Sequence, residues 1–159
     1  MNNKNLEEAK IFFTEGLKFL QEENYQEAEI KFIKSLDLSP GRLSIIHNLI
    51  SIYINTDQKY KLKKLLENYK NLSEEKEILY GKAFSFYFEN NYLDSIAACK
   101  KIVEFQEFKF SIQDLLASNF KKQKKFLDAL KLYKQKFKEK KSHLVFYNIG
   151  LLFSELGRT

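Results

Sequence analysis

Acid–base, nucleophilic or metal chemistry in this chain would have to come from a short set of residues. These are His47, His143, Cys99 and the carboxylate pairs Glu7-Glu8, Glu22-Glu23 and Glu74-Glu75. A histidine working as a base needs a second group to orient it, and a cysteine needs a positive neighbour to become a thiolate. Nothing in the sequence orients His47, and His143 lies far from it. No Cys/His spacing matches a zinc site, no glycine loop matches a phosphate cradle, and no Ser/His/Asp arrangement is present. The glutamate pairs fall at helix starts or breaks, where negative charge is favourable near a helix N-terminus. Cys99 falls on an apolar helical stripe and reads as a small core residue. The pattern therefore argues for a chain with no catalytic residue, no metal and no cofactor.

Composition narrows the class further. The single cysteine cannot form an internal disulfide. The opening MNNKNLEEAK lacks an apolar signal core, and no stretch reaches the ~18 apolar residues of a membrane span. Together these predict a cytoplasmic protein. One proline and five glycines in 159 residues leave few helix breakers, while fifteen phenylalanines and nine tyrosines supply large apolar area for packing. An all-α protein follows. The formal net charge of +6 is local: Lys121 to Lys141 holds ten lysines against Asp128 and Glu139, so the rest of the chain is slightly acidic. Arginine, the usual bidentate reader of phosphate, occurs only at Arg42 and Arg158. The lysine run thus reads first as a solvated helix face. Nucleic acid or an anionic surface bound by Lys121–Lys141 is a secondary reading, to be tested by salt titration.

The elements that would carry these residues come from a repeat. Equivalent starts fall near Ala9, Leu43, Lys76, Phe110 and His143, at spacings of 34, 33, 34 and 33 residues. Each unit has apolar residues three and four apart, a short polar break, then a second such run. In the first unit a helix from about Leu6 to Glu23 breaks at Asn24 before a second from Tyr25 to about Leu38, which Ser39-Pro40-Gly41 ends. In the second, Asn55-Thr56-Asp57 supplies good N-cap residues for the next helix. In the third the turn is Asn90-Asn91, a residue type that tolerates the left-handed conformation. Ile50 and Leu62 replace small residues of the first unit and are expected to push their helices apart. The predicted organisation is one array over 1–159, with repeats 9–42, 43–75, 76–109 and 110–142 and a partial fifth, 143–159. Its last helix is not an obvious polar cap, which led us to expect a longer parent protein.

The first unit, Phe12-x2-Glu15-Gly16-x2-Phe19, then Ala28-x3-Phe32, then Pro40, resembles the tetratricopeptide repeat family. Glu15 stands where that family usually has leucine, and phenylalanines replace its other aromatics. The fourth unit carries the signature again through Ala117, Phe120, Phe126 and Ala129, whereas the second and third follow it by period. The resemblance implies antiparallel helix pairs stacked into a right-handed α-solenoid, with the first helices lining a concave groove that binds peptides or protein partners. It also implies a packing stripe at Phe12, Gly16 and Phe19, at Ile46, Ile50 and Tyr53, at Leu79, Ala83 and Phe86, and at Gln113, Ala117 and Phe120.

One step along the helix from that stripe, the implied groove residues are Phe13, Leu17, His47, Asn48, Tyr80, Phe84, Tyr87, Tyr147 and Asn148. Aromatic rings would hold partner side chains and asparagines the partner backbone. The competing reading has the rings fill a tightly wound interior. Binding of a chaperone C-terminal tail is argued against, because the places that grip its carboxylate in some relatives hold Phe13, Leu17, Glu77 and Gly81 here, with only Asn48 matching. Asn48 and Asn148 occupy equivalent places, a weak likeness to the asparagine ladder of sugar-transferase arms that Gly81 and Leu115 interrupt. The function expected is a non-catalytic protein- or peptide-binding scaffold. The alternative is an N-terminal substrate-recruiting arm of a larger glycosyltransferase or other transferase.

Overall fold

A computed structural model of the chain describes residues 3–139 and 141–157. Among the described residues all regular structure is helical: α1 (Asn3–Gln21), α2 (Tyr25–Leu38), α3 (Leu43–Asn55), α4 (Lys59–Asn68), α5 (Lys76–Phe88), α6 (Tyr92–Ile102), α7 (Lys109–Lys122), α8 (Phe126–Glu139) and α9 (His143–Leu156), with a short 3-10 turn at Lys70–Leu72 after α4. The chain divides into two compact units, Met1–Gly81 and Lys82–Thr159, the boundary falling within α5.

One backbone device ends α1, α3, α5 and α7. Glu23, Asp57, Asn90 and Lys124 all have left-handed backbone, with φ of 56°, 55°, 60° and 59°. The next residue in each case, Asn24, Gln58, Asn91 or Lys125, donates its N–H five residues back, to the carbonyl of Phe19, Tyr53, Phe86 or Phe120. This closure satisfies carbonyls that the helix end would otherwise leave bare. The turn comes from those hydrogen bonds more than from the residue type, since Asn90 and Asp57 are at ease in this conformation but Glu23 and Lys124 are not. Asn24 and Asn91 then cap the following helices, accepting from the N–H of Glu27 and Asp94. The cap expected from Asn55-Thr56-Asp57 does not form. Thr56 Oγ1 donates instead to the Ile52 carbonyl at 2.7 Å, Asp57 is the left-handed residue, and the cap position of α4 is Gln58, whose Nε2 donates to Thr56 Oγ1 at 2.8 Å and whose side chain makes no capping bond.

In the first unit the core is built on close approach. A Cβ placed on Gly16 would lie 2.8–3.0 Å from the ring of the fully buried Phe32, so α2 seats its phenylalanine directly on the α1 backbone. Ala28 is buried one turn earlier, and Ser35 Oγ donates to the Ala9 carbonyl at 2.7 Å. In α3 and α4 the small residues give way to Ile50 and Leu62, both fully buried, and this pair runs close together over a shorter stretch than α1 and α2. Glu29 of α2 is buried and tied into this layer, accepting from Tyr53 Oη at 3.1 Å and from Lys61 Nζ at 2.7 Å.

The second unit repeats the scheme with a polar variation. Ala117 and Ala129 meet fully buried at the close approach of α7 and α8. At the matching place between α5 and α6, Ser95 donates to the Ala83 carbonyl at 2.7 Å and accepts from Asn119 Nδ2 at 2.9 Å. Val145 and Leu152 of α9 close the core against Leu130 and Tyr133.

Two substitutions at glycines of the same repeat position should therefore differ in sign. Gly16→Ala is expected to destabilise by about 1–2 kcal/mol through overpacking on Phe32, whereas Gly150→Ala, whose Cβ would meet nothing within 4 Å, should stabilise by about 0.5–1 kcal/mol through helix propensity. Urea unfolding of both variants measures this. Lys124→Gly should also stabilise, by about 1 kcal/mol, because glycine takes the left-handed conformation without cost. A lower urea midpoint for this variant would show that the lysine side chain outweighs the backbone.

Candidate functional site

In the first unit the predicted groove residues come from three helices. Phe13 and Leu17 are half-buried on α1, and the Phe13 ring lies 5.7 Å from that of Phe32. His47 of α3 stacks at 5.8 Å on Tyr80 of α5, and Tyr80 is itself buried. Phe13 and Tyr80 thus spend ring surface on intramolecular packing. Asn48 donates Nδ2 to the Ser44 carbonyl at 2.7 Å, one turn back on its own helix. That bond fixes the amide and leaves its carbonyl oxygen as an acceptor.

In the second unit Phe84 and Tyr87 belong to a ring cluster, Phe84 lying 6.3 Å from Phe88, and Tyr87 5.9 Å from Tyr92. Tyr147 is 62% exposed on α9. Asn148 repeats the geometry of Asn48, donating Nδ2 to the Leu144 carbonyl at 3.0 Å. Here a concavity of about 510 Å³ lies between the first helices α7 and α9, lined on its polar side by Ser111, Asp114, Ser118, Lys121 and Asn148. Tyr133 and Lys136 of α8 contribute to it from the second helix. Lys136 is buried, donating to Asp114 Oδ2 and, at 3.2 Å, to the Phe110 carbonyl, with the Phe110 ring beneath its ammonium. Burial and the Asp114 charge push the Tyr133 phenol up to about 12, and Lys121 Nζ sits 5.7 Å over its ring.

Sequence reasoning missed Lys136 and Tyr133 because it drew the groove from first helices alone. The available signal was a lysine in the apolar register Ala129–Tyr133–Lys136. Burial of Lys136 also divides the lysine run: Lys122, Lys124, Lys125, Lys131, Lys134 and Lys138 are exposed, while Lys121 and Lys136 turn toward the concavity.

The other chemistry-bearing residues stay apart. Cys99 is fully buried, and burial pushes its thiol up to about 12, so it is not a thiolate near neutrality. Among the described residues no group of three or more His, Cys, Asp or Glu side chains could hold a metal ion, and no helix is long and apolar enough to cross a membrane.

No protein-family model matches the chain, and no curated protein is significantly similar to it. Solved structures are. PilF of Pseudomonas aeruginosa matches with a TM-score of 0.75 at 14% identity, over 98% of this chain and 72% of that one. MamA matches with a TM-score of 0.70 at 16% identity, over 95% and 84%, and a point mutant of MamA with 0.67 at 15%, over 94% and 88%. Both are tetratricopeptide repeat proteins. This chain has the tetratricopeptide repeat fold. At such identities the likeness concerns the fold, an α-helical repeat solenoid, in agreement with the resemblance carried by the Gly16 signature. Within a tetratricopeptide repeat, the concavity of the second unit belongs to first helices of successive repeats, with the buried lysine of a second helix as its floor.

Titration of Tyr133, beside that lysine, has a calculable direction. The folded chain holds the Tyr133 proton more tightly than the unfolded chain does, so the associated stability is intact below about pH 10 and is lost as pH rises toward about 12. The buried Cys99 thiol adds a loss of the same sign that begins lower, near about pH 8.5. Tyr133→Phe should flatten the fall of the thermal midpoint above pH 10, as read by circular dichroism. An unchanged slope would place the alkaline sensitivity elsewhere.

Proposed function

We propose that this protein is a non-catalytic interaction scaffold that binds an extended segment of a partner protein along its first helices, in a cytoplasmic setting suited to its single buried cysteine. The observation that supports this most directly is the concavity between α7 and α9. Its polar lining offers a carbonyl acceptor from Asn148, a hydroxyl from Ser118 and a cation from Lys121. An extended peptide presents backbone N–H and C=O groups in alternation, which such a mixed surface can meet. The exposed Tyr147 ring lies one residue away, available to a side chain of the partner. The tetratricopeptide fold gives this reading its prior, since members of that family usually bind peptides or proteins.

A chaperone tail is a poor match for the first unit. A Cβ on Gly81 would lie 2.9 Å from Leu66 Cδ2 and 3.1 Å from Ile50 Cδ1, so a basic side chain has no room there. No observation favours a transferase arm.

Selection of extended peptides from a displayed library against the whole chain tests the reading. Asn148→Ala combined with Ser118→Leu should weaken the selected peptides at least tenfold, about 1.4 kcal/mol, with helicity unchanged, while the exposed Leu93→Ala on α6 should leave them unaffected. Equal binding by the groove variant would remove the site.

A further inference from the structure

A buried bond between paired helices recurs in two repeats, and its second occurrence is charged. In the first unit Ser35 of α2 donates to the Ala9 carbonyl of α1 at 2.7 Å. Lys136 of α8 holds the same repeat position and donates at 3.2 Å to the carbonyl of Phe110, the residue equivalent to Ala9. A hydroxyl therefore suffices for packing at this place. A buried ammonium adds a desolvation penalty that only a counter-charge offsets, and Asp114 of α7 supplies it through Oδ2. The ion pair exceeds what the helix contact requires, and it stands in the floor of the concavity between α7 and α9.

The charges lining this concavity decide what it can take. They are Asp114 and Lys121 on α7 and Lys136 on α8, while the Tyr133 phenol, pushed up to about 12, stays neutral, and the lining residues of α9 carry no charge. Asp114 and Lys136 compensate each other, which leaves one positive charge over. That charge is Lys121. It is half-buried, its ammonium sits 5.7 Å over the Tyr133 ring, and among the described residues no carboxylate pairs with it. A ring beneath an ammonium holds it in place without neutralising it. Ser118 lies one turn back on the same face of α7, where its hydroxyl can share an anion with Lys121.

One surplus charge matches a carboxylate better than a phosphate. A phosphate brings nearly two negative charges and is met best by arginine forks, yet no arginine lines the site and Asp114 would repel the second charge. The α7 wall runs from Ser111 to Lys121, about 15 Å of helix, a length that about four or five extended residues match. Resting on the reading of this concavity as a peptide groove, we infer that it selects segments with an acidic side chain, which Lys121 binds beside Ser118, and that Lys136 sets this preference by holding Asp114. Lys136 is a positioning residue. It neutralises the one carboxylate in the lining that would otherwise turn an acidic partner away.

Two displayed libraries of short segments, alike except for a fixed central Glu or Gln, are selected against the 159-residue chain, and recovered peptides are measured by fluorescence anisotropy. Peptides with Glu should bind about tenfold or more tightly than their Gln counterparts, and lose that margin as salt rises. Lys121→Met, which keeps the stem on Tyr133, should remove the margin, and Lys121→Glu should pass it to peptides with Lys at the fixed position. Lys136→Met should also remove it. Lys136→Met combined with Asp114→Asn should restore it, a rescue that a purely structural lysine would not show. Peptides that need Asn148 and Ser118 yet bind alike with Glu or Gln would overturn this inference and leave the groove reading standing. Peptides indifferent to Asn148 and Ser118 would remove the groove, and this inference with it. Tighter binding with phosphoserine than with Glu, or loss of binding on amidation of the peptide C-terminus, would overturn it by assigning Lys121 to a phosphate or to a chain end.

Discussion

The distance at which paired helices can approach governs this chain. Where the crossing point is Gly16 on one helix and Ala28 on the other, a phenylalanine ring can lie on bare backbone, and the pair gains dispersion contacts along its length. Where it is Ile50 and Leu62, the interior is still dry but the helices share a shorter run. Ala117 and Ala129 restore the tight version. Outside α3 and α4, small residues at one position per helix thus set how closely paired helices approach, among them α7 and α8, whose side chains line the polar concavity.

That position was legible in the sequence because it recurs every 33 or 34 residues and because glycine in mid-helix, as at Gly16, has a propensity cost that needs an explanation. The turns were legible only in part. Asn90 was recognisable as a residue for left-handed backbone and Asp57 shares that tolerance, but Glu23 and Lys124 adopt the same conformation without such a propensity, held by hydrogen bonds from the residue that follows. Local chemistry at Asn55-Thr56-Asp57 pointed to a cap, and the closure of α3 took precedence over it. The family resemblance assigned the expected groove residues to first helices but could not say how much of each ring would remain available. Tyr80 lies on the groove stripe and is nonetheless buried against His47.

The asparagines show how a polar side chain can be made specific by a bond that is not itself recognition. Asn48 and Asn148 each return Nδ2 to a carbonyl one turn earlier, in separate units, at equivalent places. A free amide presents donor and acceptor alike. One tied back in this way keeps its second N–H and its carbonyl oxygen in a set orientation with rotamer entropy already lost, so a partner backbone meets a prepared group. Lys136 is prepared similarly from beneath, its charge balanced by Asp114 and its stem buried.

The Ser95–Asn119 contact has a consequence for how such a chain avoids folding out of order. Repeats that resemble one another invite a helix pair to dock where its neighbour belongs, a common failure in arrays. At the place of Ser95 the other repeats hold Ala28, Leu62 and Ala129, none of which can receive the Asn119 amide. Docked one repeat out of step, Asn119 would keep its bond to the Leu115 carbonyl of its own helix but enter a fully buried layer without the Ser95 hydroxyl, at the cost of that buried hydrogen bond. The Glu29 carboxylate, bound by Tyr53 and Lys61, imposes the same condition between α2 and the repeat after it. These two polar contacts act as an address written inside an otherwise interchangeable core, telling each helix pair which neighbour is its own.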